Sequence, residues 1–557
     1  MNITPPNRLL RLLFTLLASF GLLACSFAAP PQDSPTAPAA TPLPASSATR
    51  APAEPPALPT APPAALPQPA QGSIPAFPGA EGFGAQATGG RGGQVIYVTT
   101  LDPDPNGTIP GSLNWALRQE GARYILFKVS GVIDAAANIV HGNVTIAGQT
   151  SPGGIIVRGL ICDGHYEQND CGNLIVRHLR SRPAVHLDGN PAALDDALRL
   201  DGIRTFIIDH SSFANAADEV AQISWASSGT IQRSIFAETV GDHAPYGGVL
   251  LNYSHPDLPQ NNLSLHHNLW YRLDGRLPEI TCEASNYPDL PGQFSDCAAH
   301  PLNLELSSNL LWDPGINIWY GRDVDGDPAN GPYRLNLNWV NNYAVARSDF
   351  TYGLILYDVI AVSENALYVS GNQLNLYPDY RDYQLAYCCN DFDQSHPNTD
   401  FGVAQRLNAR HDFPPISYTP ADQLIAYMLA NAGAFPRDAQ DRRFMAALAS
   451  GVIDPTPRNQ AGANDALTLD FTTPPAPPED TDNDGMPDWF ELRYGLNPNA
   501  PDHNDTRLSV LFTGIEGYTN LECYLNWLAD SLVTGAPLPP TARTTNLFLP
   551  VLLKMWP

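Results

Sequence analysis

The sequence predicts an all-β fold, a parallel β-helix, and three observations lead there. First, short β-type segments separated by turns recur over most of the chain: Tyr124–Val129, Val144–Ile146, Gly154–Val157, Leu174–Arg177, Phe206–Asp209, Thr230–Ile235, Leu263–His267, Leu302–Leu306, Leu335–Val340 and Ala366–Val369. Second, a polar, polar, small-polar, apolar motif returns as HSSF, QRSI, HHNL, SSNL, VNNY and SGNQ. It puts a Ser or Asn at Ser212, Ser234, Asn268, Asn309, Asn342 and Asn372. Third, the spacing, mostly twenty to forty residues, suits coils of a solenoid with loops of variable length. Asn side chains at equivalent turns can then hydrogen-bond along the stack. The alternatives are a β-sandwich or a propeller, which would show more regular hairpin turns.

Taken in order, residues 1–29 read as a secretory signal, with Arg8 and Arg11 ahead of an apolar core and small residues after it. The run Leu22-Leu23-Ala24-Cys25 resembles a lipoprotein box, which would leave Cys25 acylated and the protein attached to the cell surface. Residues 30–73 are a Pro/Ala-rich spacer without the apolar bulk for a core. The main domain spans 74–465. Its glycine-rich opening carries neither a dinucleotide fingerprint nor a P-loop lysine, so it reads as a capping loop into a strand at Gln94–Thr99. Ser112–Arg118 is a short helix, and Ala421–Ala449 a helical stretch split by Gly433 and Pro436. A second linker covers 466–479. It leads to a module at 480–534 and a tail at 535–557, too short in its apolar run to span a bilayer.

Composition narrows the partners. Thirty Lys+Arg against 56 Asp+Glu give a net charge of −26, which disfavours nucleic acid. An acidic polysaccharide would be repelled too, unless cations or arginines intervene. Lysine occurs only at Lys128 and Lys554, so nearly all positive charge is arginine. Cys162/Cys171 and Cys282/Cys297 lie close enough in sequence for disulfides in an oxidising compartment, while Cys388-Cys389 and Cys523 have no obvious partners.

Two places concentrate carboxylates. Asp195-Asp196 and Asp218-Glu219 flank β-type segments at Ala197–Leu200 and Arg204–Ile208. Laid on neighbouring coils they would make an oxygen-rich site for a hard cation such as Ca²⁺. Asp480, Asp482, Asp484, Gly485, Asp488 and Glu491 follow the EF-hand loop spacing D-x-D-x-D-G-x5-E, so the module is expected to be EF-hand-like and to hold a structural Ca²⁺. Asp209-His210-Ser211 has the residue types of a catalytic relay. Consecutive strand residues face opposite sides, however, which makes it structural.

AFPGAEGFGAQATGGRGG (76–93), TIAGQTSPGG (145–154), FIIDHSSF (206–213), ADEVAQIS (217–224), HHNLWYRLDGRLP (266–278) and ANAGAFPRDAQDRR (430–443) together resemble a bacterial secreted pectate lyase of polysaccharide lyase family 1. The resemblance covers about residues 75–455. It implies a right-handed parallel β-helix that cleaves polygalacturonate by Ca²⁺-assisted β-elimination. It also implies that Asp196 and Asp218, with Asp195 and Glu219 beside them, bind calcium, that Arg276 acts as the Brønsted base, and that His243 and Arg272 contact substrate. Gln222 stands where relatives carry a further calcium carboxylate, and Thr281 where some carry a second substrate-binding arginine. Arginine is ordinarily too basic to give up its proton, so Arg276 needs an unusual environment or acts through electrostatics and orientation. The expectation is therefore a secreted, monomeric pectate lyase without a transmembrane span. The rival readings are a non-catalytic polysaccharide-binding or adhesion protein and a β-helix glycoside hydrolase with two carboxylates and no metal.

Overall fold

The structure is a computed structural model that describes residues 74–165, 167–183, 196–240, 247–255, 257–282, 297, 301–315, 319–320, 333–387, 397–458 and 465–535, all within one compact unit, Leu66–Pro557. The signal with Cys25, the first spacer, Asp195, His243, Cys388-Cys389 and the tail past Gly535 lie outside the described residues.

Among the described residues the central coils contribute a strand to each of three parallel sheets, of eleven, nine and seven strands, and a separate parallel pair joins Ile355–Leu356 to Ala386–Tyr387. Leu198–Asp201 belongs to the seven-stranded sheet, Arg204–Asp209 to the eleven-stranded and Ser212–Ala214 to the nine-stranded. The next coil returns at Ala221–Ser224, with Leu198 paired to Ala221 in parallel register. This all-parallel, three-sheet arrangement is consistent with a right-handed β-helix, the hand that twisted strands favour in parallel crossovers.

Alternation along each strand separates an inner from an outer face. On the eleven-stranded sheet Ile125, Ile146, Val176, Ile208, Ile231, Leu265, Leu306 and Trp339 stack in one inward column, and all are buried in a single core. The strand expected at Thr230–Ile235 breaks instead into Ser227–Gln232 and Ile235–Ala237, because Arg233 turns the chain between two sheets at φ 51°.

That turn recurs and explains the repeating motif. His178, His210, Arg233, His267, Ser308 and Asn341 all have positive φ, a conformation strained for most L-residues. His178 precedes Leu179, whose N–H donates to Ser211 Oγ at 3.3 Å, and each of the others precedes a residue whose side chain joins a ladder. The backbone N–H groups of Ser234, Asn268, Asn309 and Asn342 donate to the Oδ1 atoms of Asn268, Asn309, Asn342 and Asn372 at 2.9–3.0 Å. Asp382 ends the stack by accepting from Asn372 N at 2.9 Å. The first coil of the ladder uses Ser211, whose N–H donates to Ser234 Oγ at 3.1 Å. Ser212, expected in that role, is a strand residue whose hydroxyl donates to Asp441 at 2.7 Å.

Two of the outward faces are covered. Helices Leu424–Asn431 and Ala439–Ser450 pack on the nine-stranded sheet over Ala214, Ile235, Leu269, Tyr271, Leu310 and Trp312. The helices Asp488–Tyr494, Ser509–Thr513 and Asn520–Thr534 form a C-terminal region whose Met486, Phe490, Leu508 and Leu521 cover Tyr124, Leu126 and Ala147 on the eleven-stranded sheet. The glycine-rich opening is a strap along that same sheet, where a cap on its end was expected. Gly84 N donates to Thr230 Oγ1 at 2.8 Å, and a Cβ there would lie 2.0 Å from the Phe206 carbonyl oxygen. The helix Leu113–Leu117 forms as expected, with Ser112 as its N-cap. Cys162–Cys171 and Cys282–Cys297 are disulfide-bonded, and Cys523 is buried and free. None of the described helices is long and apolar enough to cross a membrane.

Candidate active site

The third outward face, that of the seven-stranded sheet, carries neither helical layer and holds the polar groups singled out by the sequence. Leu198, Leu200, Ala221, Ile223, Val249 and Leu251 point into the core, so their neighbours Arg199, Gln222, Leu250 and Glu279 line up in one outward register column. Asp196 and Asp218-Glu219 precede the strands Leu198–Asp201 and Ala221–Ser224 on neighbouring coils. Arg276 occupies the turn before Glu279–Ile280, with φ 58°.

These turns converge. Oxygens of Asp196, Asp218 and Glu219 all lie within 4.8 Å of one another. Asp196 Oδ1 accepts from Glu219 N at 3.1 Å, and Arg199 approaches Asp196 Oδ2 at 3.4 Å. The Arg276 guanidinium donates from Nε to Glu279 at 2.6 Å and from its other arm to Glu219. Two oxygens on one Ca²⁺ sit at most about 5 Å apart, given bonds of roughly 2.4 Å. The three carboxylates therefore fit a hard divalent cation.

Electrostatics agree with that geometry. Burial, then repulsion from Glu219, raises Asp196 well above the ordinary carboxylate range, with Arg199 working against it. Burial and Asp218 raise Glu219 to about 7, against the pull of Arg276. Burial works to lower Arg276, but Glu279 and Glu219 outweigh it and hold the guanidinium protonated.

Other expectations fall elsewhere. Arg272 is no surface group facing this cluster. It follows Leu269–Tyr271 on the nine-stranded sheet, is 1% exposed, and meets Asp454 at 2.7 Å and Asp313 at 3.5 Å. Gln222 is turned to Asp201, donating from Nε2 at 2.9 Å. Thr281 is buried and its N–H pairs with Leu251 O. Asp209 and His210 do pair, at 2.8 Å, but the Ser211 hydroxyl turns to the Asp209 carbonyl within the ladder, so no relay forms. Asp209 is instead the buried partner of Arg177 and Arg233. Sequence reasoning missed Arg199 and Asp201, whose side chains meet at 2.8 Å beside Asp196. Their only signal was two charges at alternate positions of a strand.

In the C-terminal region, oxygens of Asp480, Asp482 and Asp484 form a second group and those of Asp484, Glu491 and Asp502 a third. Asp488, expected with them, instead accepts from the N–H and hydroxyl of Thr481 at 2.8 and 2.7 Å.

Comparison with known proteins bears on the solenoid. No family model matches the chain. A probable pectate lyase C from Aspergillus flavus is 30% identical over 474 residues, covering 82% of this chain and 95% of that protein. The chain belongs to the pectate lyase family. A second family member, a probable pectate lyase C from Aspergillus fumigatus, is 29% identical over 471 residues with the same coverage. One from Emericella nidulans is 27% identical over 456, covering 80% of this family member and 92% of that protein. These relatives are fungal, where the motifs suggested a bacterial branch. Among solved structures, the cedar-pollen allergen jun a 1 matches at TM-score 0.41 and 15% identity over 64% of this pectate lyase family chain and 92% of that one, too loosely to carry an argument.

Proposed function

We propose that the chain is a calcium-dependent pectate lyase that cleaves polygalacturonate by β-elimination and releases 4,5-unsaturated oligogalacturonides. The main support is the convergence of Asp196, Asp218 and Glu219 on one another, with Glu219 bonded to Arg276, in a chain of this family. The C5 proton of a galacturonate is acidic only because the neighbouring carboxylate can take up the charge. A Ca²⁺ bound there supplies Lewis-acid neutralisation of that carboxylate. Asp196, Asp218 and Glu219 would hold it, offsetting the repulsion between an acidic polymer and a chain of net charge −26.

Arg276 is the catalytic residue at the C5 proton. Glu279 fixes its orientation through Nε, and the far arm would exchange Glu219 for substrate. Once Glu219 is engaged elsewhere, the guanidinium loses one of the carboxylates, with Glu279 and Asp218, that hold it protonated. Arg199, held by Asp196 and Asp201 on the outward face, supplies a second positive charge for a sugar carboxylate. His243 stays a candidate for substrate contact.

The same reading assigns 1–29 as signal, 30–73 and 466–479 as linkers, 74–465 as the catalytic domain, 480–534 as an EF-hand-like calcium module and 535–557 as a tail. It makes the protein a secreted monomer acting on plant cell-wall pectate. The full chain is incubated with polygalacturonate at alkaline pH, and absorbance is followed at roughly 230–235 nm. Absorbance should rise, stop on addition of chelator and resume with calcium. New reducing ends without absorbance would point to hydrolysis, and binding with neither would point to an adhesion protein.

A further inference from the structure

The C-terminal carboxylates depart from the EF-hand spacing in a specific way. Glu491 is fully buried, and neither of its carboxylate oxygens has a hydrogen-bond donor among the described residues. A buried carboxylate without partners costs several kcal/mol, on the order of a lost charge pair. It nonetheless lies with Asp484 and Asp502, ligand-type oxygens of the three falling within 4.8 Å of one another. Asp484, itself 1% exposed, is shared with Asp480 and Asp482, and Asp482 Oδ2 is also unpartnered. The polypeptide is already shaped around the cluster. Asp480 accepts from the N–H groups of Asp484 and Gly485 at 3.3 and 3.2 Å, Gly485 has φ 100°, and Asp502 N donates to Asp484 Oδ2 at 3.0 Å. Asp502 also meets the exposed Arg507.

We propose that Asp480, Asp482, Asp484, Glu491 and Asp502 bind one hard divalent cation, with Asp502 replacing Asp488 as a ligand, and that this cation clamps the C-terminal region onto the first coils of the β-helix. Five carboxylates approach the six to eight oxygens that Ca²⁺ takes, water completing the set. Both ends of the cage already touch the solenoid. Asp480 accepts from the Tyr97 hydroxyl and the neighbouring Asn483 from Lys128 at 2.8 Å. Beyond Asp502, His503 and Asn504 reach the Gly93 carbonyl at 3.2 and 3.0 Å. Drawing Asp480 and Asp502 onto one ion therefore fixes two separate attachments to the edge strand Gln94–Val98 and the turn before it. The proposal rests on reading the loop as a cation-binding loop, and is independent of the lyase chemistry.

Calcium is titrated by calorimetry into the full chain carrying Asp196→Asn and Asp218→Asn, so that the solenoid cluster is silent. Asp502→Asn, Glu491→Gln and Asp488→Asn are then added singly. One calcium per chain is expected, weakened about tenfold or more by the first two changes and less than about threefold by the third. In chelator, Glu491→Gln should melt above its parent, because a buried carboxyl without hydrogen-bond donors has gone and an amide can donate to the neighbouring carboxylates, and it should lose the parent's calcium-dependent rise in Tm. No calcium binding by the parent overturns the cation site and the EF-hand reading together. Binding that Asp488→Asn weakens as much as Asp502→Asn keeps that reading and overturns the ligand set. A Glu491→Gln chain that melts lower in chelator and still gains Tm with calcium overturns the role of Glu491.

Discussion

Arg276 and Gln222 carry the sharpest residue-level consequences. The Arg276 fork spans Glu279 and Glu219, so removing it strips charge and orientation from the reacting position together. Arg276→Ala should lower kcat about a thousandfold, with the fold retained. Arg276→Lys should recover only part, since an ammonium cannot span two carboxylates in one plane. Steady-state kinetics and a melting curve check both. Gln222 faces the Asp201 carboxylate with a donor, so Gln222→Asp replaces a hydrogen bond with repulsion. That variant should melt lower in chelator and recover more Tm on adding calcium than the unaltered chain, as differential scanning would show. Asp218 and Arg276 each stand in a motif quoted above, and Asp196 in the acidic pair Asp195-Asp196. Arg272 sits apart from Arg276 because four residues along one motif carry the chain round a corner, from the nine-stranded sheet to the seven-stranded. Asp502 was invisible because it lies outside the loop spacing and reaches Asp484 only through the fold.

At the scale of elements, the Asn ladder ties the coils together where the backbone turns. Asn342 Oδ1 accepts from Asn309 N and Nδ2, both at 3.0 Å, while its own Nδ2 donates to Leu306 O at 3.0 Å and Asn372 Oδ1 at 2.9 Å. Asn342→Ala strands Asn309 N and removes one bond each from Asn309 Nδ2, Leu306 O and Asn372 Oδ1, and should cost about 2–4 kcal/mol in urea unfolding. The surface side chain of Ser363, changed to Ala, should cost nothing comparable. The ladder was readable as a repeat, yet its first member was off by one. In HSSF both serines are the right size, and only the left-handed residue before Ser211 decides which one faces the stack. The strands were readable from their apolar runs, whereas the sheet each one joins depends on corners that composition does not mark.

For the molecule as a whole, buried histidines set the acid limit. Burial, with Arg233 nearby, lowers His267 to about 3, and burial lowers His165 to about 4. Both are held neutral in the folded chain but take up a proton near pH 6.5 when unfolded. Their contribution is thus complete above about pH 6.5 and lost as pH falls toward 3–4. His267 alone should account for roughly 2 kcal/mol of lost stability by pH 5. Urea unfolding at several pH values checks this, and His267→Gln, which can still reach Thr419, should flatten the decline. The strap has a consequence of another kind. Phe83 N finds the Ser264 hydroxyl 181 positions later, and Glu81 receives the Ser417 hydroxyl 336 positions later. A ribosome releases the strap long before either partner exists, so a segment made ahead of the coils is among the last to be fastened. Until then Ile175 and Ile207, which the strap covers, remain bare on the nascent chain, a sticky interval that lasts as long as synthesis of the coils.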